Sequence, residues 1–166
     1  TSDVHQLPII ITRFSNIYGP GQLNFSALIP DSIRSALGYS KFIPRGDGSM
    51  IRDFLYNEDV VDLYIRIAES LSKDNKTLSG LVFNAGSNVP KTVRHILEEI
   101  IGIIGDRVQY KRILEDMKNK ETVGEIDCQF MDHEKVKKYF GWTPQHSLND
   151  GLLKTIAWYK RYLRDR

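Results

Sequence analysis

Apolar positions along the chain fall into short uninterrupted runs and longer stretches with helical spacing. Residues 7–14 and 80–86 form such runs, and each is followed by turn-forming residues. They predict two strands, and the β-branched first run is typical of a strand buried on both faces of a parallel sheet. Residues 42–44 and 51–55 predict two further extended segments around a glycine-containing turn. Residues 108–113 alternate weakly and predict an edge strand.

Helical spacing recurs in five stretches, and capping residues mark some of their ends. The predicted helices cover residues 26–37, 57–71, 92–104, 132–141 and 147–163, with a polar loop over residues 114–124. Asn57 occupies the expected N-cap of the second helix, and Ser147 with Asp150 predicts a capping box at the last one. The expected apolar stripe of the second helix consists of Val60, Val61, Tyr64, Ile67, Ala68 and Leu71. This order of elements predicts an α/β chain, with a few strands of a parallel sheet plus a small mixed α/β lobe.

The composition is that of a soluble globular chain with one core and room for a small additional lobe. Of the 166 residues 41% are hydrophobic, and no run approaches the roughly eighteen apolar residues of a membrane helix. The first residues are not followed by a signal-type segment, so the expected compartment is the cytoplasm. The net charge is +2 and most basic residues are interleaved with acidic ones, which argues against a nucleic-acid partner.

Residues that bind metals or act as nucleophiles are sparse in the sequence. The single cysteine, Cys128, predicts an unpaired thiol. The four histidines are scattered without evident convergent acids, so neither a metal site nor a catalytic triad is expected. The chain begins with Thr1 and reaches its first strand almost at once, which suggests a piece of a longer protein.

Four segments carry a resemblance to a known family. Residues 13–20 match Arg-x-x-Asn-x-Tyr-Gly-Pro, residues 46–59 match Gly-x-Gly-x-x-x-Arg-Asp-(aromatic)-x-x-x-x-Asp, residues 83–86 are similar to Tyr-Asn-(Ile/Val)-Gly, and residues 132–144 are similar to Asp-x-x-Lys-x-x-x-x-Leu-Gly-Trp-x-Pro. Each motif alone is weakly specific. In this order, over nearly the whole chain, they resemble the carboxy-terminal half of the extended short-chain dehydrogenases/reductases, the NAD-dependent nucleotide-sugar epimerases and dehydratases with a Rossmann-type sheet.

Two of these residues also suggest a diphosphate site by their chemistry. Arg52 follows a glycine-rich turn, and a guanidinium is a planar fork for bidentate contact with phosphate. Asn16 follows a strand, and ligands of open α/β sheets bind outside the carboxyl ends of strands. The resemblance implies that the substrate, a nucleoside-diphosphate sugar, is bound by Asn16, Leu28, Ile43, Arg45, Arg52 and Asn84. It places Phe14 and Ser15 beside the nicotinamide of NAD and assigns no catalytic residue or metal ligand to this chain.

Structural roles are the alternative for each of these residues. Arg52 next to Asp53 is compatible with an ordinary surface ion pair. Asn16 is also a residue that tolerates turn conformations, and Asn84 could satisfy backbone groups at a strand end. Asp59 is expected to be no more than a helix-start residue. Trp142 and Pro144 are expected to be packing residues that close the small lobe.

The sequence also departs from the family pattern. Many relatives carry an arginine that grips the diphosphate before a Gly-Glu pair, whereas here Thr122 precedes Gly124 and Glu125, with Lys118 and Lys120 as the nearest possible substitutes. The stretch 18–30 looks most like the cytidine-diphosphate-glucose 4,6-dehydratases.

A dinucleotide-binding glycine loop and a Tyr-x-x-x-Lys pair do not occur in the sequence, so the chain alone is expected to be inactive. The parent protein is expected to oxidise the sugar C4 hydroxyl with NAD, and to form a homodimer through helices outside this chain. The preferred hypothesis is therefore the substrate-binding portion, residues 1–166, of such an enzyme without its NAD-binding half. The alternative is a non-catalytic interaction or nucleotide-binding module that retains the family fold.

Overall fold

The computed structural model describes residues 7–118, 120–121, 124 and 126–165. The strands are β1 (Ile11–Phe14), β2 (Asn16–Tyr18), β3 (Ile51–Arg52), β4 (Phe54–Tyr56), β5 (Val82–Ala85), β6 (Lys91–Thr92) and β7 (Cys128–Gln129). The helices are α1 (Leu28–Ala36), α2 (Asn57–Lys73), α3 (Asn75–Leu78), α4 (Val93–Ile104), α5 (Arg107–Met117), α6 (Glu134–Phe140) and α7 (Leu148–Arg164). Among the helices described, none combines the length and apolar character needed to cross a membrane.

The strands form three small sheets, and the predicted α/β class is confirmed. β1 pairs with β5 and β2 pairs with β4, both in parallel. The third sheet has the order β6-β3-β7, in which β3 is antiparallel to β6 and parallel to β7. The predicted segment at 51–55 is thus split at Asp53, so that β3 joins the third sheet while β4 joins β2.

Two apolar clusters hold these elements together. The larger one lies between α1, α4 and α7 and includes Ile29, Ile33, Ile96, Leu97, Ile100, Leu152, Ile156 and Tyr159. The smaller one lies between the β1–β5 pair, α2 and α6 and includes Leu55, Leu63, Phe83, Ala85, Val136 and Trp142. The predicted role of Trp142 in packing is confirmed, but this residue closes the cluster beside α2 and not the small lobe.

One face of the β1–β5 pair lacks a covering layer. Thr12 and Phe14 are in register with Phe83 and Ala85, which face the smaller cluster. The opposite face is open, and Ile11 is 49% exposed there. The prediction that the first strand is buried on both faces is therefore wrong for the chain as it stands, because helices of the described chain pack on only one side.

The predicted edge strand at 108–113 is wrong, and the predicted loop after it begins too early. These residues belong to α5, whose N-cap Asp106 accepts a hydrogen bond from the backbone N–H of Gln109. Ile113 and Met117, four residues apart, are buried, while Val108 is 65% exposed. Weak alternation over six residues did not distinguish one buried helical stripe from a strand face.

The predictions for α2 need two corrections. Tyr56 holds the N-cap position, while Asn57 is the first helical residue and donates from Nδ2 to the carbonyl of Pro20. The buried stripe contains Asp59, Val60, Leu63 and Ile67, whereas Val61, Tyr64 and Ala68 are exposed. Val61 and Tyr64 make a second side of α2 apolar. The hydrophobic pattern alone therefore could not show which side of the helix is buried in the smaller cluster. The capping box of Ser147 and Asp150 at α7 is confirmed.

Asp59 does far more than start a helix. Its side chain is buried and accepts hydrogen bonds from the backbone N–H groups of Gln145 and His146 at 3.0 and 3.2 Å. His146 Nδ1 lies 2.9 Å from the same carboxylate, and His146 Nε2 lies 3.2 Å from Glu58. Trp142 Nε1 donates to the Asp59 carbonyl at 3.1 Å. The expectation that no acids converge on the histidines is therefore wrong at His146.

We expect the Asp59→Ala variant to lower the free energy of unfolding by about 2–4 kcal/mol, because partly buried donors in the 145–146 segment lose their acceptor. The matched control is Asp62→Ala, one turn along the same helix, where an exposed ion pair with Arg66 at 2.8 Å is lost. That change should cost no more than about 0.5 kcal/mol. Urea unfolding of both variants measures the difference, and equal effects would contradict the anchoring role.

Candidate functional site

A cleft of about 330 Å³ opens between α1, the ends of β2 and β3, and the segment 42–48. Its lining residues include Asn16, Leu28, Ile43, Arg45 and Arg52, five of the six residues that the family resemblance implies for substrate binding. These residues are up to 36 positions apart in sequence, and the fold brings them to one cavity. A cavity of this size is within the range of small-molecule sites.

Asn16 is placed by a double contact with Asp53. Its backbone N–H and its side-chain Nδ2 both donate to the carbonyl of Asp53, at 3.1 Å each. The Asp53 carboxylate is buried and accepts hydrogen bonds from the backbone N–H of Ser87 at 2.9 Å and from the Ser87 hydroxyl. Asp53 therefore belongs to the interior network, and the proposed surface role for its carboxylate is wrong.

Arg52 lies at the wall of the cleft with its head group fixed by the protein. Nη1 donates to the carbonyls of Ile51 and Ile126 at 2.9 and 2.6 Å, and Nη2 lies 3.5 Å from Met50 Sδ. The β2–β4 pairing sets Asn16 beside Phe54 in register, two residues beyond Arg52. Arg52 and Asn16 line one cavity from two different sheets, Arg52 from β3 and Asn16 from β2, whose partner β4 follows β3 in the chain.

The first turn of α1 also lines the cleft. Its N-cap, Ala27, is extended and has no side-chain acceptor, so the helix start has no side-chain cap. The N–H groups of the first turn have no partner within a helix, and the helix dipole places partial positive charge there. The acidic residue nearby, Asp31, forms an ion pair with Arg34 at 3.2 Å. This helix start is thus available to an anion in the cleft.

The rim of the cleft is formed by Ile43 and Arg45. Ile43 is 67% exposed, an unusual position for a large aliphatic side chain. Arg45 is exposed, and its Nη2 donates to the carbonyl of Ser26 at 3.1 Å. The arginine side chain therefore extends across the entrance of the cleft toward the start of α1. An apolar surface beside a guanidinium suits a planar base.

A small cavity of about 70 Å³ adjoins Asn16 and contains the two residues implied for the cofactor. Phe14, Ser15 and Asn16 line it from one side, and Gln129, Phe130 and Met131 from the other. The hydroxyl of Ser15 is buried and has no hydrogen-bond partner among the described residues. A buried hydroxyl normally finds a partner, so this site fits a polar group such as the carboxamide of a nicotinamide.

Asn84 does not join the cleft. It lies on the open face of the β1–β5 pair, exposed, opposite Arg13 in register. Lys118 forms an ion pair with Glu115 at 3.6 Å, and Lys120 lines a shallow hollow beside Ile43. Thr122 and Glu125 lie outside the described residues.

Tyr18 is a cleft residue that the sequence reasoning did not single out, although it stands within the first motif. Its hydroxyl donates to the carbonyl of Leu148 at 3.1 Å, which ties β2 to α7. Burial, followed by the nearby Tyr56, Asp59 and Asp150, raises the pKa of Tyr18 well above its usual range. Tyr18 therefore remains protonated and acts as a structural donor.

Gly48, the second glycine of the motif at residues 46–59, lies in the wall of the cleft. Its φ of +79° favours glycine, and an added Cβ would collide with the Met117 side chain.

The described residues contain no group of three or more His, Cys, Asp or Glu side chains suited to a metal ion. The cleft thus combines a helix start, the guanidinium groups of Arg45 and Arg52, and the exposed apolar side chain of Ile43.

Comparison with known proteins agrees with this geometry. A family model described as GDP-mannose 4,6 dehydratase matches residues 2–155. The dTDP-glucose 4,6-dehydratase of Escherichia coli is 33% identical over 159 residues, which cover 92% of this chain and 42% of that protein.

Solved structures show the same likeness. The dTDP-glucose 4,6-dehydratase of Bacillus anthracis, in complex with NAD, aligns with a TM-score of 0.77 and 31% identity over 96% of this chain and 47% of that one. A variant of the UDP-glucuronic acid 4-epimerase of Bacillus cereus, in complex with UDP-4-deoxy-4-fluoro-glucuronic acid and NAD, aligns with a TM-score of 0.76 and 25% identity, over 97% and 48%. This chain spans less than half the length of each of these three proteins.

The chain belongs to the GDP-mannose 4,6 dehydratase family within the extended short-chain dehydrogenases/reductases, the nucleotide-sugar dehydratases and epimerases, and corresponds to their carboxy-terminal portion.

Proposed function

We propose that the cleft binds the diphosphate of a nucleoside-diphosphate sugar, and that the chain is the substrate-binding portion of an NAD-dependent sugar-nucleotide 4,6-dehydratase or 4-epimerase. The observation that carries this proposal is the meeting of Asn16, Arg52 and the uncapped start of α1 in one cavity. The helix start has backbone N–H groups without an intrahelical partner, and the Arg52 guanidinium and the Asn16 carboxamide lie in the same cavity. A pyrophosphate carries two anionic groups that bind to such groups.

The lining of the cleft also gives the ligand a direction. The base lies at the rim, between the exposed Ile43 and the guanidinium of Arg45. Leu28 backs the middle of the ligand. The sugar points past Asn16 toward the small cavity of Phe14 and Ser15, which adjoins the same asparagine. Asn84 lies on the open face of the β1–β5 pair, away from the cleft. It would therefore not contact a ligand held in this cleft directly.

NAD is the cofactor that this assignment implies, and when bound it accepts hydride from the sugar C4 position. The chain contributes the unpartnered Ser15 hydroxyl and the Phe14 side chain to the edge of that site. The parent enzyme would then act as a lyase, by eliminating water across C5 and C6 and returning the hydride to C6, or as an isomerase, by returning the hydride to the other face of C4. We expect the parent enzyme to be cytoplasmic. We also expect it to form a homodimer through helices outside this chain.

The open face of the β1–β5 pair supports the assignment to a portion of a larger enzyme. Among the described residues β1 pairs only with β5, so its other edge carries unused backbone groups. Tyr64 of α2 lies beside that edge, with its hydroxyl 3.2 Å from Thr12 Oγ1, and is exposed together with Val61 and Ile65. An open parallel strand next to an apolar helix face is the arrangement expected where the NAD-binding half continues the sheet.

Calorimetric titration of this chain with CDP, TDP and UDP should show saturable binding of at least one nucleotide, and CDP is favoured by the residues at 18–30. Arg52→Ala and Asn16→Ala should each weaken that binding by about 10- to 100-fold, the size of one lost charge-assisted contact. Arg66→Ala, an exposed arginine of α2, is the matched control and should leave the affinity unchanged. Thermal unfolding of each variant separates lost binding from lost fold.

Ala27→Asp should separate stability from binding at the start of α1. A carboxylate at this extended N-cap position caps the first turn, so the free energy of unfolding should rise by about 0.5–1.5 kcal/mol. The same carboxylate occupies and repels the diphosphate position, so nucleotide affinity should fall by at least about tenfold. Ala27→Asn adds the cap without the charge and should lose less affinity. Unchanged nucleotide binding in Ala27→Asp would place the diphosphate elsewhere.

If all three nucleotides fail to bind and the chain is folded, the substrate-binding assignment is wrong, and the non-catalytic interaction module becomes the better account.

A further inference from the structure

The segment that follows β5 lies closely packed against the buried Asp53. A Cβ placed on Gly86 would collide with Asp53 Oδ2 and with the carbonyl oxygen of Met131. The Gly86 carbonyl accepts a hydrogen bond from Nδ1 of the buried His133 at 2.9 Å, since a carbonyl can only accept. The glycine that ends the third motif therefore allows the next residue, Ser87, to reach the Asp53 carboxylate.

The hydroxyl of Ser87 has a fixed direction. It accepts a hydrogen bond from the backbone N–H of Val89 at 3.1 Å and donates its own hydrogen to Asp53 Oδ1. A hydroxyl has a single hydrogen, so none is left for another acceptor. The backbone N–H of Ser87 donates to Asp53 Oδ2 at 2.9 Å. Ser87 therefore binds both oxygens of this carboxylate.

The Asp53 carboxylate depends on these two donors. Asp53 is fully buried, and among the described residues both of the hydrogen bonds to its carboxylate come from Ser87. Burial of a carboxylate is costly unless hydrogen bonds replace those to water, and bonds to an ionised acceptor are strong. Loss of the Ser87 hydroxyl would leave Oδ1 without a partner, so the side chain of Asp53 and its backbone would shift.

Asp53 transmits its position to the cleft through its carbonyl. This carbonyl accepts hydrogen bonds from the backbone N–H and from Nδ2 of Asn16, at 3.1 Å each. Nδ2 uses one of its two hydrogens in this bond, so the other N–H remains for a ligand. Asn16 is exposed and lines the cleft. An exposed carboxamide that is already held in one orientation loses less conformational entropy when a ligand binds.

We propose that Ser87 is a positioning residue of the nucleotide cleft, which acts through Asp53 to orient the Asn16 carboxamide toward the diphosphate. Ser87 does not line the cleft, so its effect on the ligand is indirect. This role rests on the proposed function, because it is the diphosphate that the oriented carboxamide contacts.

The first test measures nucleotide affinity by chemical-shift titration, with whichever of CDP, TDP and UDP binds the unaltered chain most tightly. Ser87→Ala should weaken binding by about three- to tenfold, the effect of one side chain that is no longer held in place. Ser87→Thr keeps the hydroxyl and should restore the affinity to within about twofold.

Thr155→Ala is the matched control for a loss of stability. It removes another buried hydroxyl, which donates to the Gly151 carbonyl within α7 and does not line the cleft. This variant should lower the unfolding temperature and leave the nucleotide affinity unchanged. In the ligand-free chain, Ser87→Ala should move the Asn16 side-chain amide signals toward those of a solvated asparagine, and Thr155→Ala should not move them.

A double-mutant cycle shows whether the effect passes through Asn16. In the Asn16→Ala chain, the further change Ser87→Ala should alter nucleotide affinity by less than about twofold, because the side chain on which it acts is absent. If Ser87→Ala does not fold, Asp53→Asn supplies the same comparison, since a carboxamide keeps only one acceptor oxygen for the two donors of Ser87.

Unchanged affinity and unmoved Asn16 signals in Ser87→Ala would overturn the role of Ser87 and leave the proposed function standing. A full three- to tenfold loss in the Asn16→Ala chain, flagged as about the size seen in the unaltered chain, would also overturn it, because the effect would then bypass Asn16. Failure of all three nucleotides to bind the unaltered, folded chain would overturn the proposed function and the role of Ser87 together.

Discussion

Asp53 is the residue on which the geometry of the cleft depends. It separates β3 from β4, and its carbonyl receives both N–H donors of Asn16. Its buried carboxylate receives the N–H and the hydroxyl of Ser87, which follows β5. Asp53 thus joins the start of β2, the junction of β3 and β4, and the segment that follows β5. Arg52 precedes Asp53 in the sequence. The hydrogen bonds between Asp53 and Asn16 therefore also set the position of the Arg52 backbone relative to Asn16.

The residues that could be predicted from the sequence were those carried by ordered motifs. Arg52 was selected by the chemistry of its guanidinium after a glycine-rich turn and Asn16 by its position after a strand, and both line the cleft. Asn84 was selected by motif alone, and a strand position does not say which face of the sheet a side chain occupies. The buried role of Asp59 was not predictable, because its partners at 145–146 lie 86 and 87 positions further along the chain.

The wrongly predicted buried face of α2 has a physical cause. α2 carries apolar residues on two sides, and only one side is buried by the residues described here. Sequence hydrophobicity marks every apolar side of a helix, whereas the structure shows that only one side of α2 is buried by the described residues. Val61 and Tyr64 lie on the apolar side of α2 that the described residues leave exposed. The elements that line the cleft, α1, β2 and β3, all lie within the described residues.

The central claim is that the start of α1, Asn16 and Arg52 contact one diphosphate together. A ¹⁵N–¹H titration of this chain with a nucleoside diphosphate, beside the same titration with the free nucleoside, tests it directly. The account predicts that the Leu28 and Ile29 amides, the Asn16 carboxamide and the Arg52 guanidinium shift along a single saturation curve with the diphosphate only. Shifts confined to other residues, or identical shifts with the free nucleoside, would contradict it.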